Sequence, residues 1–307
     1  MSKRYTKNFF DFIVTIFVLL VKIILAVVPL KINRIIFKWI GSFGYIISKK
    51  RRETALENLR YAFPEYTEEQ RRLIAKQSFQ NLMITMGELF IMHRMSDEKL
   101  KEIVKFKNLD VVEKAKAKNK SILFLSAHYG NWELLAYSVG YFTQTPLTIV
   151  VKPQSNKYLD KILNKIRTYR NNKVVSMYSA AKVIVEQAQS NGAVALLADQ
   201  SATKDKDVFV DFFNRPAATY KVVAKLALRF GITIITTHIS RQPDMNYVID
   251  FKELDYSDLS NTQDDIKELT QRHVKAIEDV IRTNPGQWTW MHHRWKHTPK
   301  SNQGNSI

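Results

Sequence analysis

From Ser121 onward the chain repeatedly alternates a short apolar run with a stretch of helical spacing, and this alternation restricts its fold more than any other feature. Strand character is expected at 121–126, 147–151, 174–177, 194–198 and 232–240, with an edge strand at 247–251. Helical patterns at 132–142, 156–170, 180–190, 220–229 and 262–283 separate them, the last stopping at Asn284 and Pro285. Strands that alternate with helices pack as a sheet covered by helices. The fold class expected is therefore α/β, a central mixed sheet flanked by helices. Upstream, apolar residues recur at helical spacing over 51–94, where Pro64 separates two helices. The charged stretch 96–120 is a surface connection holding a short strand near 104–106.

The first fifty residues have a different texture. Residues 9–30 are almost continuously apolar, broken only by Asp11, Thr15, Lys22 and Pro29, close to membrane-spanning length. Lys22 at the centre of a bilayer would cost roughly 2.5 kcal/mol or more unless its stem snorkels, so a tilted or interfacial anchor is as consistent as a span. Basic residues flank the stretch on both sides, and those from Lys31 to Arg52 interleave with Ile35, Ile36, Phe37, Trp39, Ile40 and Phe43. That mixture suits an amphipathic segment on an anionic leaflet. A core helix with a basic solvent face is the plainer alternative. The expected organisation is an N-terminal membrane anchor and amphipathic segment over 1–50, one catalytic domain over 51–300 and a polar tail over 301–307.

With 47 Lys and Arg against 29 Asp and Glu, a net charge of +18 draws anions to the surface: phospholipid headgroups, nucleic acid, acidic carrier proteins or phosphorylated substrates. The chain has no cysteine, which excludes disulfides, thiolate metal sites and cysteine nucleophiles. It also lacks a Gly-x-Ser-x-Gly elbow and a His-Glu-x-x-His motif. Neither an acyl-enzyme nor metal hydrolysis is indicated, and no cofactor or metal is expected. No nucleic-acid motif is present.

One run carries chemistry. His128-Tyr129-Gly130-Asn131-Trp132-Glu133 lies where a buried strand ends and a helix begins, where open α/β sheets present reactive groups. Asn131 is a good helix N-cap, which puts Glu133 in the first turn. A carboxylate that holds one imidazole nitrogen leaves the other free to take a proton, so His128 with Glu133 reads as a general base and its orienter. Such a base contributes on the order of 10² to 10⁴ in rate. Taken alone, a His-x4-Glu spacing is more often a loop histidine bonded to a helix cap.

This run resembles the His-x4-Asp/Glu signature of the glycerolipid acyltransferase superfamily, in the form found in bacterial lipid A late acyltransferases. Four further blocks follow in order: Arg167 with Lys165 and Ile166; Ala198-Asp199-Gln200; Phe212 through Thr219; and Pro285 through Lys296. Where glycine is usual in that family this chain has Asn171 and Asn214, a residue that tolerates left-handed backbone geometry. The resemblance implies transfer of an acyl chain from acyl carrier protein or coenzyme A to a hydroxyl of an anionic lipid A precursor at the cytoplasmic membrane face. Lysophospholipid, glycerophosphate or another glycolipid is the alternative acceptor. A basic, membrane-tethered binding protein without catalysis is the alternative of another class.

The remaining site residues are expected on the substrate side. Arg167 can grip a phosphate or a developing oxyanion with its fork of donors. Asp199, after a buried strand, can orient a basic group or cap a turn. Asn131 and Arg294 complete the expected substrate-binding set, and Thr219 is expected to cap the helix at 220–229. Trp288, Trp290 and Trp295 either dock at headgroup level or pack across the fold, while His292, His293 and His297 are expected as surface or support residues.

Overall fold

A computed structural model describes residues 3–202 and 207–298; the expected tail at 301–307 lies outside the described residues. Eleven α-helices and nine strands are found among the described residues. The chain opens with α1 (Lys3–Val27), α2 (Leu30–Ile47), α3 (Lys49–Ala62) and α4 (Glu68–Leu89). Thr67 and Gln70 form a reciprocal capping box that starts α4 after the break at Pro64. Helix α2 lies along α4, where Phe37 is buried and a Cβ on Gly41 would stand 2.5 Å from the Gln80 Cα. Only glycine permits that approach.

The stretch expected to be a surface connection folds into α5 (Asp97–Ile103), β1 (Val104–Lys107) and α6 (Asp110–Ala117). The α/β alternation then follows with β2 (Ile122–Ser126), α7 (Trp132–Phe142), β3 (Leu147–Val151), α8 (Lys157–Arg167), β4 (Lys173–Ser176), α9 (Ala180–Gln189) and β5 (Ala193–Leu197). A hairpin of β6 (Asp207–Phe212) and β7 (Arg215–Tyr220) comes next, then α10 (Val222–Phe230), β8 (Thr233–Arg241), β9 (Tyr247–Glu253) and α11 (Gln263–Thr283).

Seven strands form one mixed sheet in the order β1-β9-β8-β2-β5-β3-β4, with β8 and β9 antiparallel and every other pair parallel. Central β2 is buried along its whole length between β5 and β8, as its unbroken Ile-Leu-Phe-Leu run requires. Apolar clusters on the two faces of the sheet form the core.

Two expectations are corrected. The strand at 247–251 is interior, bonded to both β8 and β1, with Tyr247, Ile249 and Phe251 buried. The edges are instead β1 and β4. Thr219 is not a helix cap: it pairs with Val208 inside the hairpin, and α10 begins after Lys221, which makes no side-chain cap. The hairpin turns through Phe213 and Asn214, at φ 53° and 56°, the double positive φ of a tight two-residue turn. Asn171 also sits at positive φ, 61°, so both asparagines that replace the usual glycine occupy left-handed positions.

Candidate active site

Parallel register builds the site. Ser126, the last residue of β2, stands opposite Leu197 at the end of β5, and the Ala198 amide bonds the Ser126 carbonyl at 2.9 Å. Two residues further along each chain come His128 and Asp199. Asp199 Oδ1 lies 2.8 Å from His128 Nδ1, while Oδ2 accepts from the His128 amide at 2.9 Å and from Trp288 Nε1 at 2.7 Å. One buried carboxylate thus holds both the ring and the backbone of the histidine. The His128 side chain is 25% exposed, so the ring remains reachable.

Burial favours the neutral imidazole, but the Asp199 charge and hydrogen bond, with the charge of Glu133 behind them, outweigh it and hold the His128 pKa above its ordinary value. Asp199 is likewise held well below the usual carboxylate range: burial opposes ionisation, and the His128 and Trp288 contacts overcome it. This arrangement fixes a tautomer with Nδ1–H donating to Asp199 and Nε2 left as the base.

Glu133 does not make the expected hydrogen bond to His128. It is clamped by Arg167, whose Nε and Nη2 donate to the two carboxylate oxygens at 2.9 and 2.6 Å. Fork and carboxylate meet two-on-two, a geometry that outcompetes a single imidazole contact. Asp199, which the spacing around His128 could not reveal, takes the orienting place, and Glu133 acts on the ring through its charge alone.

The rest of the loop is braced by contacts hidden in the sequence. Asn131 caps α7 through the Leu134 amide at 2.9 Å and is fully buried, its amide donating to Glu88 Oε2 at 2.5 Å. Asn131 is therefore spent on holding the loop rather than facing substrate. Glu88 also accepts from Tyr247 Oη at 2.5 Å and from Arg34 of α2. The Gly130 carbonyl accepts from Asn81 and Thr85, and its φ is +59°. A Cβ there would fall 1.8 Å from the Ile239 carbonyl oxygen. Gly130→Ala should therefore lower stability by on the order of 2 to 3 kcal/mol, visible as a shifted denaturation midpoint, and reduce turnover with His128 and Asp199 intact.

The C-terminal block passes beneath the loop. Thr289 bonds the His128 carbonyl through its amide and its hydroxyl, both at 3.1 Å, and Tyr129 pairs with Trp288. Trp288, Trp290 and Trp295 are buried, so of the two expectations for them packing across the fold is the one found. Arg294, expected at an anionic substrate, is 1% exposed. It donates to the Ala218 carbonyl and Thr219 Oγ1, both at 2.6 Å, over the Phe212 ring. His292 accepts from the Ser201 amide at 3.3 Å, and burial pushes its pKa down to about 4, so it is a neutral support beside the His128–Asp199 pair. Gln200, next to Asp199 in the same block, is a further neighbour, within 3.4 Å of His128 Nε2.

A family model described as bacterial lipid A biosynthesis acyltransferase matches residues 2–297. The chain belongs to that family. It is 27% identical to a lipid A biosynthesis acyltransferase of Haemophilus influenzae over 88% of this chain and 83% of that protein. It is 24% identical to a lipid A biosynthesis myristoyltransferase of Escherichia coli over 87% of this chain and 82% of that protein. A lipid A biosynthesis palmitoleoyltransferase of the same bacterium is 22% identical over 85% and 83%. The protein is accordingly an acyltransferase, and as a member of this family it places the His128–Asp199 pair in a lipid-modifying enzyme.

Proposed function

We propose that this acyltransferase moves a fatty acyl chain from an acyl thioester, on acyl carrier protein or coenzyme A, to a hydroxyl of a lipid A precursor, with His128 as the general base. The observation that carries the reading is the grip of Asp199 on Nδ1, which leaves Nε2 as proton acceptor. Nε2 takes the hydroxyl proton as the alkoxide attacks the thioester carbonyl, and a tetrahedral oxyanion forms. The C–S bond then breaks, the ester C–O bond remains, and the imidazolium returns its proton to the departing thiolate. No acyl-enzyme is needed, because the attacking oxygen belongs to the acceptor. Asp199 and Glu133 both favour the imidazolium of this step, and Arg167 holds Glu133 in place for it.

Acceptor and enzyme meet, in this reading, at the cytoplasmic face of the inner membrane. Among the described residues no helix is long and apolar enough to cross a membrane. The N-terminal helices nevertheless expose a broad apolar face, which supports an interfacial seat: Phe9, Phe17, Ile24, Phe43 and, at 73%, Trp39. On α2 that face lies opposite the side buried on α4, and Lys31 and Lys38 accompany it. Replacing Trp39 and Phe43 together by glutamate should lower binding to vesicles containing phosphatidylglycerol by tenfold or more in a flotation assay. The fold should survive, because both side chains are exposed.

Mass spectrometry of lipids from cells with and without the gene tests the proposed reaction, together with transfer assays using each donor. One acyl chain fewer on lipid A is the expected result. An unchanged lipid A beside an altered phospholipid profile would move the acceptor to another lipid.

A further inference from the structure

Lys22, the one basic residue within the apolar 9–30 stretch, is half-buried rather than free in solvent. Helix α1 docks beside α8, its Asp11 carbonyl and Thr15 hydroxyl meeting the N-cap Asn156, and Lys22 feels the charges of Lys165 and Arg94. The charges of Lys22 and Lys165 also act on His93 in the short turn Met92–Arg94, as does that of Arg94 itself. The His93 ring packs edge-on to Tyr169 of the segment after α8, 6.0 Å between centroids. His93 Nδ1 is shut off from solvent and, among the described residues, has no partner.

Like charges gathered in this way repel one another, which favours an anion among them. The charges that act most on these groups are basic: Lys165 and Arg94 on Lys22, and Lys22, Arg94 and Lys165 on His93. Asp97, close in sequence, is taken by Arg170 at 2.5 Å and by the Tyr141 hydroxyl. Beside the cluster opens a cavity of about 580 Å³, lined by His93, Arg94, Tyr169 and Arg170, with Asp97 on the wall in its pair with Arg170. On the other side Leu19, Leu20, Ile23 and Ile24 of α1 are exposed, so acyl chains can lie against the helix that supplies Lys22.

We propose that Lys22, His93, Arg94 and Lys165 form a binding site for the phosphate monoester of a membrane lipid. A phosphate carrying up to two negative charges answers the three fixed cations and gives His93 the acceptor it lacks. The cavity wall is linked to the helix that carries Glu133. Arg170 on that wall bonds the Tyr137 hydroxyl at 3.1 Å, and Tyr137 lies four residues, about 6 Å along α7, from Glu133. The proposal deepens the acyl-transfer reading by seating the acceptor's phosphate, and it rests on that reading only for the identity of the lipid.

Imidazole titration by NMR reads the site without turnover. In the free protein burial and the charges of Lys22, Arg94 and Lys165 push the His93 pKa down to about 4. An anion among them favours the protonated ring, so the shift must run upward. The full chain in dodecyl maltoside would be titrated with dodecyl phosphate, the His93 signal being assigned by its loss in His93→Gln. The expected result is a rise of two pH units or more in the His93 midpoint. The double variant Arg94→Gln/Lys165→Gln, whose side chains are exposed, should need at least tenfold more dodecyl phosphate for the same effect. No shift overturns the site. An equal shift with the same concentration of inorganic phosphate overturns its assignment to a lipid. Absence of acyl transfer in a parallel assay would bear on the proposed reaction and leave this measurement standing.

Discussion

Replacing Asp199 by asparagine is expected to slow acyl transfer on the order of 10² to 10⁴-fold, approaching the loss from His128→Ala, while Glu133→Gln costs only about tenfold. The asparagine side chain fits the same space, but its amide can present a donor where Nδ1–H needs an acceptor, and Nε2 ceases to be the base. The pH profile separates the roles. His128 must be neutral to act, and its pKa is held above 6.5, so kcat/KM should rise with pH along a limb above 6.5. Without the Asp199 charge, burial is opposed only by Glu133, and the limb should move to lower pH. In Glu133→Gln it should move down only slightly, because Glu133 supplies the smaller share. The same pair adds stability that is complete between 3.8 and 6.5, is lost as pH rises through the raised folded pKa of His128, and is lost as pH falls toward the depressed pKa of Asp199, about 2. If Glu133→Gln abolished turnover and displaced the limb while Asp199→Asn did neither, Glu133 would be the orienter and the Asp199 assignment would fall.

Glu88→Gln should destabilise the protein by about 3 to 5 kcal/mol, measured as loss of the urea midpoint at constant slope. Glu88 is 1% exposed and stands between Arg34, Tyr247 and Asn131, all three of which donate to it. The glutamine keeps one acceptor oxygen and puts an NH2 donor in place of the other, facing three donors, and it leaves the Arg34 charge buried without its counter-charge. Arg34→Met in the same background should recover a large part of the loss, since it removes that charge, whereas Asn131 and Tyr247 stay poorly paired. Because Asn131 caps α7 directly after the His128 loop, the glutamine variant should also lose turnover below its melting temperature. A Glu88→Gln protein with unchanged midpoint would mean that the network does not hold α2, β9 and the loop together.

Local pattern carried much of the architecture. Helix α7 spans 132–142 and the β2 run lies at the sheet centre, both as the residues indicate, because helical spacing and an unbroken apolar strand depend on neighbours in sequence. The hairpin at 207–220 was hidden, since it rests on two consecutive positive-φ residues at Phe213 and Asn214, and phenylalanine gives no sign of such a turn. The buried place of β9 was equally hidden: it depends on β1, a four-residue strand 143 positions earlier, coming to cover it.

The site divides along the same line. Residue order alone determined that a histidine would stand at the end of a central strand, before a capped helix, with carboxylates and an arginine in range, because each of those facts is a property of a short segment. Which carboxylate reaches the imidazole was decided by β5 lying parallel beside β2, in a register that carries Asp199 to His128 and leaves Glu133 to Arg167. Hydrogen bonds join atoms within about 3 Å, and only the assembled sheet determines which distant residues come that close.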